Sequence, residues 1–319
     1  MSHPYAALTP EAVLDAVATR GLRPDGRLLS LNSYENRVYQ VWMEDGQVVV
    51  VKFYRPGRWT KEQILEEHAF AKELAEREVP VVAPTDCAEF QGFLFAIYPR
   101  RGGRTPNLED PKALEWIGRF IARIHAIGAL KPFHSRPSLN LDTFGKEPRE
   151  WLLKNAAIPG DVLDAWKAVT EQSLAMVAAC YERAGKVRAI RLHGDCHPGN
   201  ILWTEDGPHF VDLDDARMGP AAQDLWMLLS GDRAAQSLQM RDVLAGYEQF
   251  MDFDRRELHL VEALRTLRLI HYSYWIARRW DDPAFPAAFP WFGTQRYWQD
   301  RILELKEQIA LMEEPPLSV

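Results

Sequence analysis

The chain has 319 residues, a formal net charge of −7 and a sequence pI near 5.8. That acidic balance argues against a nucleic-acid partner, which needs a basic surface to offset phosphate charge. With 47% hydrophobic and 26% charged residues the composition is that of a soluble globular protein with room for two domains, and three unpaired-looking cysteines (Cys87, Cys180 and Cys196) fit a reducing cytoplasmic compartment better than a disulfide framework.

The N-terminal stretch MSHPYAALTPEAV has no basic segment followed by an apolar run, so no secretory signal is expected. No window has the apolar length of a bilayer span, so no membrane partner is expected either. Thr9-Pro10-Glu11 reads as a helix start, with Thr9 as cap, and Gly21 as its end. Arg37 to Met43 alternates apolar and polar residues, Glu44-Asp45-Gly46 turns the chain, and Gln47 to Tyr54 returns as a Val-rich strand. Thr60 begins a second helix, with Gln63 in capping-box position and a stripe of Ile64, Leu65, His68, Ala71, Leu74 and Ala75. Phe93 to Tyr98 is apolar throughout and reads as a buried strand. The Pro-, Gly- and Arg-rich stretch 99–106 reads as a hinge. Asp110-Pro111 then starts a helix with the stripe Leu114, Ile117, Phe120, Ile121 and Ile124. Further helical patterns lie around 148–156, 161–184, 221–230, 235–250, 256–280 and 295–313. The expected fold class is α+β and two-lobed. A small β-rich N-lobe spans 1–98, the hinge 99–106, and a large α-helical C-lobe 107–319, with a nucleotide in the cleft between the lobes.

One segment interrupts the helices: LHGDCHPGNILWTEDGPHFVDLDDA, Leu192 to Ala216. Its two hydrophobic runs flank Asp206-Gly207 and predict a β-hairpin. Counting outward from that turn sets Leu202 opposite Phe210, Ile201 opposite Val211, and Asn200 opposite Asp212. An amide oxygen would then lie beside a carboxylate, the hard ligands that Mg²⁺ takes when it also carries nucleotide phosphates. Asp195, in a polar loop upstream, is placed to accept a proton from an attacking hydroxyl. A loop Asp, an Asn and a strand-end Asp follow the order of parts in kinases of the protein-kinase type. A polar turn held by Asx hydrogen bonds accounts for one such residue but not for the ordered set. His193, Cys196 and His197 are competent zinc ligands, yet a fourth ligand at standard spacing and the HExxH glutamate are missing.

Other parts of a nucleotide site can be sought by type. Lys52, after Val48 to Val51, is either an edge residue that guards a strand or a lysine that binds phosphates. Glu67 shares a helix face with Ile64, His68 and Ala71 and would fix that lysine, whereas Glu66 is rotated towards solvent. The loop Ser30 to Val38 contains no glycine. It is an ordinary polar turn, or it covers the phosphates with backbone amides and the hydroxyls of Ser30 or Ser33. No Walker A or GxGxxG sequence is present. Backbone groups near Ile97, Tyr98 and Pro99 would bind adenine.

HGDCHPGNIL followed by VDLDDA resembles the catalytic and metal motifs of the aminoglycoside phosphotransferase and choline kinase superfamily, whose fold is protein-kinase-like. The pattern HGDxxxxN is met by His193-Gly194-Asp195 with Asn200, and the metal aspartate by Asp212. Gly219-Pro220 with Asp224-Leu225 matches a further family feature, in which Asp224 would hold the fold. Gly118 to His125 is similar to the family helix before the catalytic loop. SYENRVYQVW (33–42), VVVKFYRPGRWT (49–60), EEHAF (66–70), HGDCHPGNILW (193–203) and VDLDDARMGPAAQDLWMLL (211–229) are similar to a bacterial stress response kinase group within that superfamily. The resemblance implies an ATP-dependent serine/threonine protein kinase with a part in stress survival; a monomer is the expected state. It implies Ser33 in the ATP loop, Asp195 and Asp212 in the catalytic set, and Asn200 with Asp212 as Mg²⁺ ligands.

Two departures from eukaryotic protein kinases stand out. Gly194 occupies the place of the HRD arginine, and Asp212 to Gly219 leaves no room for a long activation segment, the usual platform for peptide substrates. A small alcohol is therefore the alternative acceptor. RLIHYSYWIARRW (268–280) with Phe285, Phe289, Trp291 and Phe292 could cage a quaternary ammonium, or simply pack as core. Asp281 and Asp282 could instead recruit a basic peptide. A pseudokinase is motivated only by the glycine-free loop, and the presence of Lys52, Asp195, Asn200 and Asp212 argues against it.

Overall fold

The computed structural model describes residues 4–319; Met1, Ser2 and His3, at the start of the expected N-lobe 1–98, lie outside the described residues. The chain forms two compact units, Met1–Thr105 with Gly199–Asp214, and Pro106–Pro198 with Asp215–Val319.

In the first unit, α1 (Pro10–Ala18) begins where Thr9 Oγ1 accepts the Ala12 N–H at 3.2 Å. Strands β1 (Pro24–Leu31), β2 (Arg37–Met43) and β3 (Val48–Phe53) follow. Helix α2 (Lys61–Glu76) leads to β4 (Asp86–Phe90) and β5 (Phe93–Pro99). The five strands make one antiparallel sheet in the order β1-β2-β3-β5-β4. The two-residue period of β3 sorts its side chains. Val49, Val51 and Phe53 join Val13, Ala16 and Val17 of α1 in one apolar cluster, while Tyr54 packs with Ile64 of α2, Ala96 and Tyr98. Each fully buried Val or Phe contributes roughly 1.5–3 kcal/mol, more than an exposed ion pair, so this apolar alternation sets the register.

Helix α2 carries the expected capping box between Thr60 and Gln63. Its buried stripe is Ile64, Glu67, His68, Phe70, Ala71 and Leu74. Leu65, counted in the expected stripe, is 45% exposed because it is rotated off that arc, and Ala75 lies at the exposed last turn. Strand β4 escaped notice in the sequence because Asp86 and Glu89 give it the look of a loop; it is an edge strand paired only with β5. The stretch read as a hinge is paired as well. Arg104 and Trp203 exchange backbone hydrogen bonds (3.0 and 2.7 Å), and a Cβ on Gly103 would stand 2.7 Å from that of Leu202.

The predicted hairpin exists, but its register is one residue off the expected one. With β6 taken by Ile190–Leu192, the hairpin strands are β7 (Ile201–Thr204) and β8 (Gly207–Phe210). Ile201 pairs with Phe210, Leu202 with His209 and Thr204 with Gly207. The turn residues are thus Glu205-Asp206, and Gly207, at φ +103°, is the first residue of the returning strand. Phe210 is locked by hydrogen bonds with Pro80 O and Val82 N. Asn200 consequently faces Val211, not Asp212.

The second unit is helical apart from the short pair β6 and β9 (Arg217–Gly219). Helix α3 (Pro111–Gly128) buries Leu114, Ile117, Ile121 and Ile124. A π-turn at Asp142–Lys146 runs into α4 (Glu147–Asn155), followed by α5 (Gly160–Ala184), α6 (Ala222–Trp226) and α7 (Arg233–Tyr247). Helix α6 is shorter than the pattern 221–230 suggested, because Asp232 caps a new helix through the Ala235 N–H. The pattern 256–280 starts as a 3₁₀ stretch, Arg255–Leu260, and becomes α8 only over Val261–Ala277. Two further helices, α9 (Ala284–Ala288) and α10 (Gln295–Glu313), complete the unit. Phe285 and Phe289 are buried with Ile276 as core, so they cannot line a cage for a cation. Asp282 is 1% exposed and accepts the Ala284 N–H, so it is not available to a basic peptide. Among the described residues no helix is long and apolar enough to cross a membrane.

Candidate active site

Lys52 lies on β3, which is hydrogen-bonded on both sides, and it is 8% exposed. The reading as an edge guard is therefore excluded. Its Nζ sits 2.6 Å from Asp212 Oδ1 and 3.7 Å from Asp214 Oδ1. Burial opposes the ammonium charge, but Asp212 and Asp214, with smaller help from Tyr98 and Glu67, outweigh it and hold the pKa of Lys52 well above its usual value. Glu67 is 3% exposed on the lysine-facing side of α2, whereas Glu66 is half-buried. Behind the lysine, Tyr54 Oη lies 2.8 Å from Tyr98 Oη and 2.6 Å from His68 Nε2. The Tyr98 side chain thus belongs to a buried polar network. The Ile97 carbonyl accepts from both the N–H and the hydroxyl of Thr85 (2.8 and 3.0 Å).

Strand β8 ends at Phe210, and Val211 N–H donates to Asn200 O at 3.0 Å. Asp212 then takes a left-handed φ of +62°, which Asp tolerates better than most residues. This kink leaves its carboxylate half-exposed and on Lys52, at the same end of the hairpin as Asn200. An amide oxygen and a carboxylate are a donor set that fits Mg²⁺ carrying nucleotide phosphates. Among the described residues no group of three or more His, Cys, Asp and Glu side chains is arranged to hold a metal, so further ligands would come from the nucleotide and water.

The sequence reading missed Asp214. It is 4% exposed and binds Asn36 Nδ2 at 2.5 Å and Arg58 Nη1 at 2.9 Å. Asn36 Oδ1 in turn accepts the Arg55 N–H, and Arg55 Nε pairs with the Glu35 carboxylate at 3.0 Å. The glycine-free loop between β1 and β2, which holds half-buried Ser33, is thereby tied down by buried charge. The legible signal was the pair of arginines after β3 together with the second aspartate of Asp212-Leu213-Asp214.

In the second unit, Asp195 follows Gly194, whose φ is +85° and whose missing Cβ would stand 2.1 Å from Asp215 O. No side chain fits at the position of the HRD arginine. Asp224 on α6 accepts the N–H of His193 and of Gly194, both at 2.8 Å, and His125 of α3 lies 3.0 Å from its Oδ2. Burial acts to raise the Asp224 pKa, but the hydrogen bond and charge of His125, with His193 and the Gly194 amide, bring it below the usual carboxylate range. Gln223 Nε2 donates to Gly194 O at 3.1 Å. The loop is therefore held by its backbone from α6, and Asp195 projects from it with 22% side-chain exposure. Cys196 is fully buried, and burial pushes its thiol well up, so it is a neutral packing residue. His197 Nε2 is 3.5 Å from Asp195 Oδ2. Arg268 of α8, also unforeseen, places Nη1 2.6 Å from Asp195 Oδ1.

Residues 27–261 match the model of a family described as the phosphotransferase enzyme family. The chain is 46% identical over 320 residues to stress response kinase A of Escherichia coli (strain K12), covering 99% of this chain and 97% of that one. It is 45% identical, over the same shares, to a serine/threonine protein kinase RdoA of Salmonella typhimurium (strain LT2). Among solved structures, amicoumacin kinase hAmiN in complex with AMP-PNP, Ca²⁺ and Ami superposes with a TM-score of 0.72 at 17% identity, covering 95% of this chain and 94% of that one. The last likeness concerns the fold alone.

Proposed function

The chain belongs to the phosphotransferase enzyme family, and within it we propose an ATP- and Mg²⁺-dependent kinase that places the γ-phosphate on serine and threonine hydroxyls of proteins. The observation that carries this reading is the buried Lys52 held on Asp212 at the end of the hairpin that Asn200 opens. Asn200 and Asp212 would hold Mg²⁺, which when bound neutralises nucleotide phosphate charge. Lys52, with Glu67 behind it, binds the phosphates; Ser33 belongs to the loop over them. Because the Ile97 carbonyl is engaged by Thr85, the adenine contacts fall to the backbone of the segment from Tyr98 onward. Asp195 accepts the hydroxyl proton of the acceptor. In this reading residues 1–98 bind nucleotide, 99–106 link, and 107–319 supply the base and acceptor surface. The working compartment is the cytoplasm, the working state a monomer, and the stress-response role comes from the relatives' names.

Support for a protein acceptor comes from the relative named a serine/threonine protein kinase, and the core role of Phe285 and Phe289 takes those two rings out of a cage for a choline-like acceptor. The test is incubation with γ-labelled ATP and Mg²⁺, with and without a generic protein substrate, beside Asp195→Asn. Acid-stable phosphoserine or phosphothreonine is expected, reduced on the order of 10³-fold in the variant with nucleotide binding retained. Turnover of ATP without label on protein would move the acceptor to a small alcohol.

A further inference from the structure

We infer that Glu257 is a positioning residue for the loop that carries Asp195: through the Ala222 N–H it fixes α6, whose Gln223 and Asp224 hold that loop by its backbone. The inference rests on the kinase reading above. Where His193 and Gly194 stand depends on where these two adjacent side chains stand. A helix of five residues cannot fix them alone, because it closes too few i to i−4 hydrogen bonds, so its place is set by what it touches. Buried Leu225 packs it, and His125 of α3 meets Asp224. At its start the Ala222 N–H donates to Glu257 Oε2 at 2.8 Å, across 35 residues of sequence. Ala222 directly precedes Gln223 and Asp224. The same turn is tied by Gln223 N–H to Pro220 O at 3.0 Å and by Asp224 N–H to Ala221 O at 3.2 Å, so a shift at Ala222 passes to both gripping residues. Glu257 is itself held in place: its N–H donates to Asp254 O at 2.9 Å, and Leu258 and Leu260 beside it are buried.

A carboxyl is a costly residue at this place. Glu257 is 3% exposed and has no ion-pair partner among the described residues; the neighbouring Arg256 sits 2.6 Å from Asp254 instead. The other groups that face it are the hydroxyls of Tyr181 on α5 and Tyr247 on α7, both raised by burial and then by Glu257, and the carboxylate of Asp254. None of these offsets a negative charge, and an apolar side chain would avoid the cost of burying an acid without a cation. What an apolar side chain cannot supply is an acceptor for the Ala222 N–H. Phosphoryl transfer depends on orientation more than on covalent help, and a displacement of about 1 Å of a reacting group costs on the order of 10²-fold. An oxygen that fixes the turn from which Gln223 and Asp224 emerge therefore acts on Asp195 without touching substrate.

The test compares Glu257→Met, Glu257→Asp and Glu257→Gln with the unchanged full-length protein. Methionine removes the acceptor, aspartate withdraws it by one methylene, and glutamine keeps it. For phosphoryl transfer, Glu257→Met and Glu257→Asp are expected to lower kcat about tenfold with the KM for ATP within about twofold, and Glu257→Gln to stay within about threefold of the unchanged protein. A kcat within about threefold for both Met and Asp, a loss carried by KM for ATP, or a Gln variant as slow as the other two overturns the inference. Should Glu257→Met fail to fold, Asp against Gln decides. A second readout needs no activity: amide hydrogen exchange of the nucleotide-free protein. Exchange at His193 and Gly194 is expected to quicken about tenfold in Met and Asp but not in Gln, with β2 and β3 unchanged. Unaltered exchange at those two amides, or the same acceleration throughout the chain, overturns the inference. If the unchanged protein transfers phosphate to no acceptor, the kinase reading fails, while exchange still decides whether Glu257 holds the loop.

Discussion

At position 212 the backbone turns left-handed and hands a half-exposed carboxylate to Lys52, while two residues on Asp214 is buried under Arg58, Asn36 and the same lysine. The two aspartates look equivalent in the sequence and are not. Asp214→Asn leaves buried cations uncompensated and is expected to cost about 3 kcal/mol of stability. Asp212→Asn removes a half-exposed partner and is expected to cost about 1 kcal/mol or less, yet to lose more activity. Urea denaturation beside a transfer assay separates them; equal stability losses would refute the division. Lys52, Asp195, Asn200 and Asp212 could be named from the chain because their residue types and spacing are local. Asp214 and Arg268 could not, since their partners lie 156 to 178 and 73 residues away.

Among elements, α3 and α7 cross with their backbones in contact. A Cβ on Gly246 would meet Glu115 O at 1.8 Å, and one on Gly118 would meet Val243 O at 2.0 Å. These glycines let two helix backbones touch, and α3 carries the His125 that binds Asp224. Gly246→Ala must part the helices and is expected to destabilise by about 3 kcal/mol or more. Gly160→Ala, at the open start of α5, is expected to be neutral or slightly stabilising. Comparable urea midpoints for the two variants would contradict the crossing. Helix starts at Thr9, Thr60 and Asp110 were legible because caps are local chemistry. The hairpin register was not, because the position of Gly207 is consistent with a turn residue or a strand residue until Phe210 meets Pro80 and Val82.

For the molecule as a whole, two buried groups oppose each other in pH. Burial raises Glu257 to about 7, against the Ala222 N–H that donates to it at 2.8 Å. Its folded pKa lies above the ordinary 4.5, so its contribution is fully present below about pH 4.5 and is lost as pH rises through 7, on the order of 3 kcal/mol. Burial, then Arg217, lowers His271 to about 3, so its contribution is present above about pH 6.5 and is lost as pH falls. Glu257→Gln keeps the acceptor for Ala222 and removes the ionisation. The variant is expected to gain on the unchanged protein by up to about 3 kcal/mol between pH 5 and pH 8 in urea titrations. A difference that stays constant across that range would show that Glu257 does not ionise there.

Cap residues, strand alternation and the spaced set Asp195, Asn200 and Asp212 determined the fold class and the named candidates from sequence alone, because each depends on neighbours within a few residues. Tertiary structure decided which aspartate is buried, that Lys52 lies on an interior strand, how the hairpin pairs and which arginine meets Asp195. Those outcomes depend on burial and charge compensation between segments far apart in the chain, and such pairings leave no local pattern.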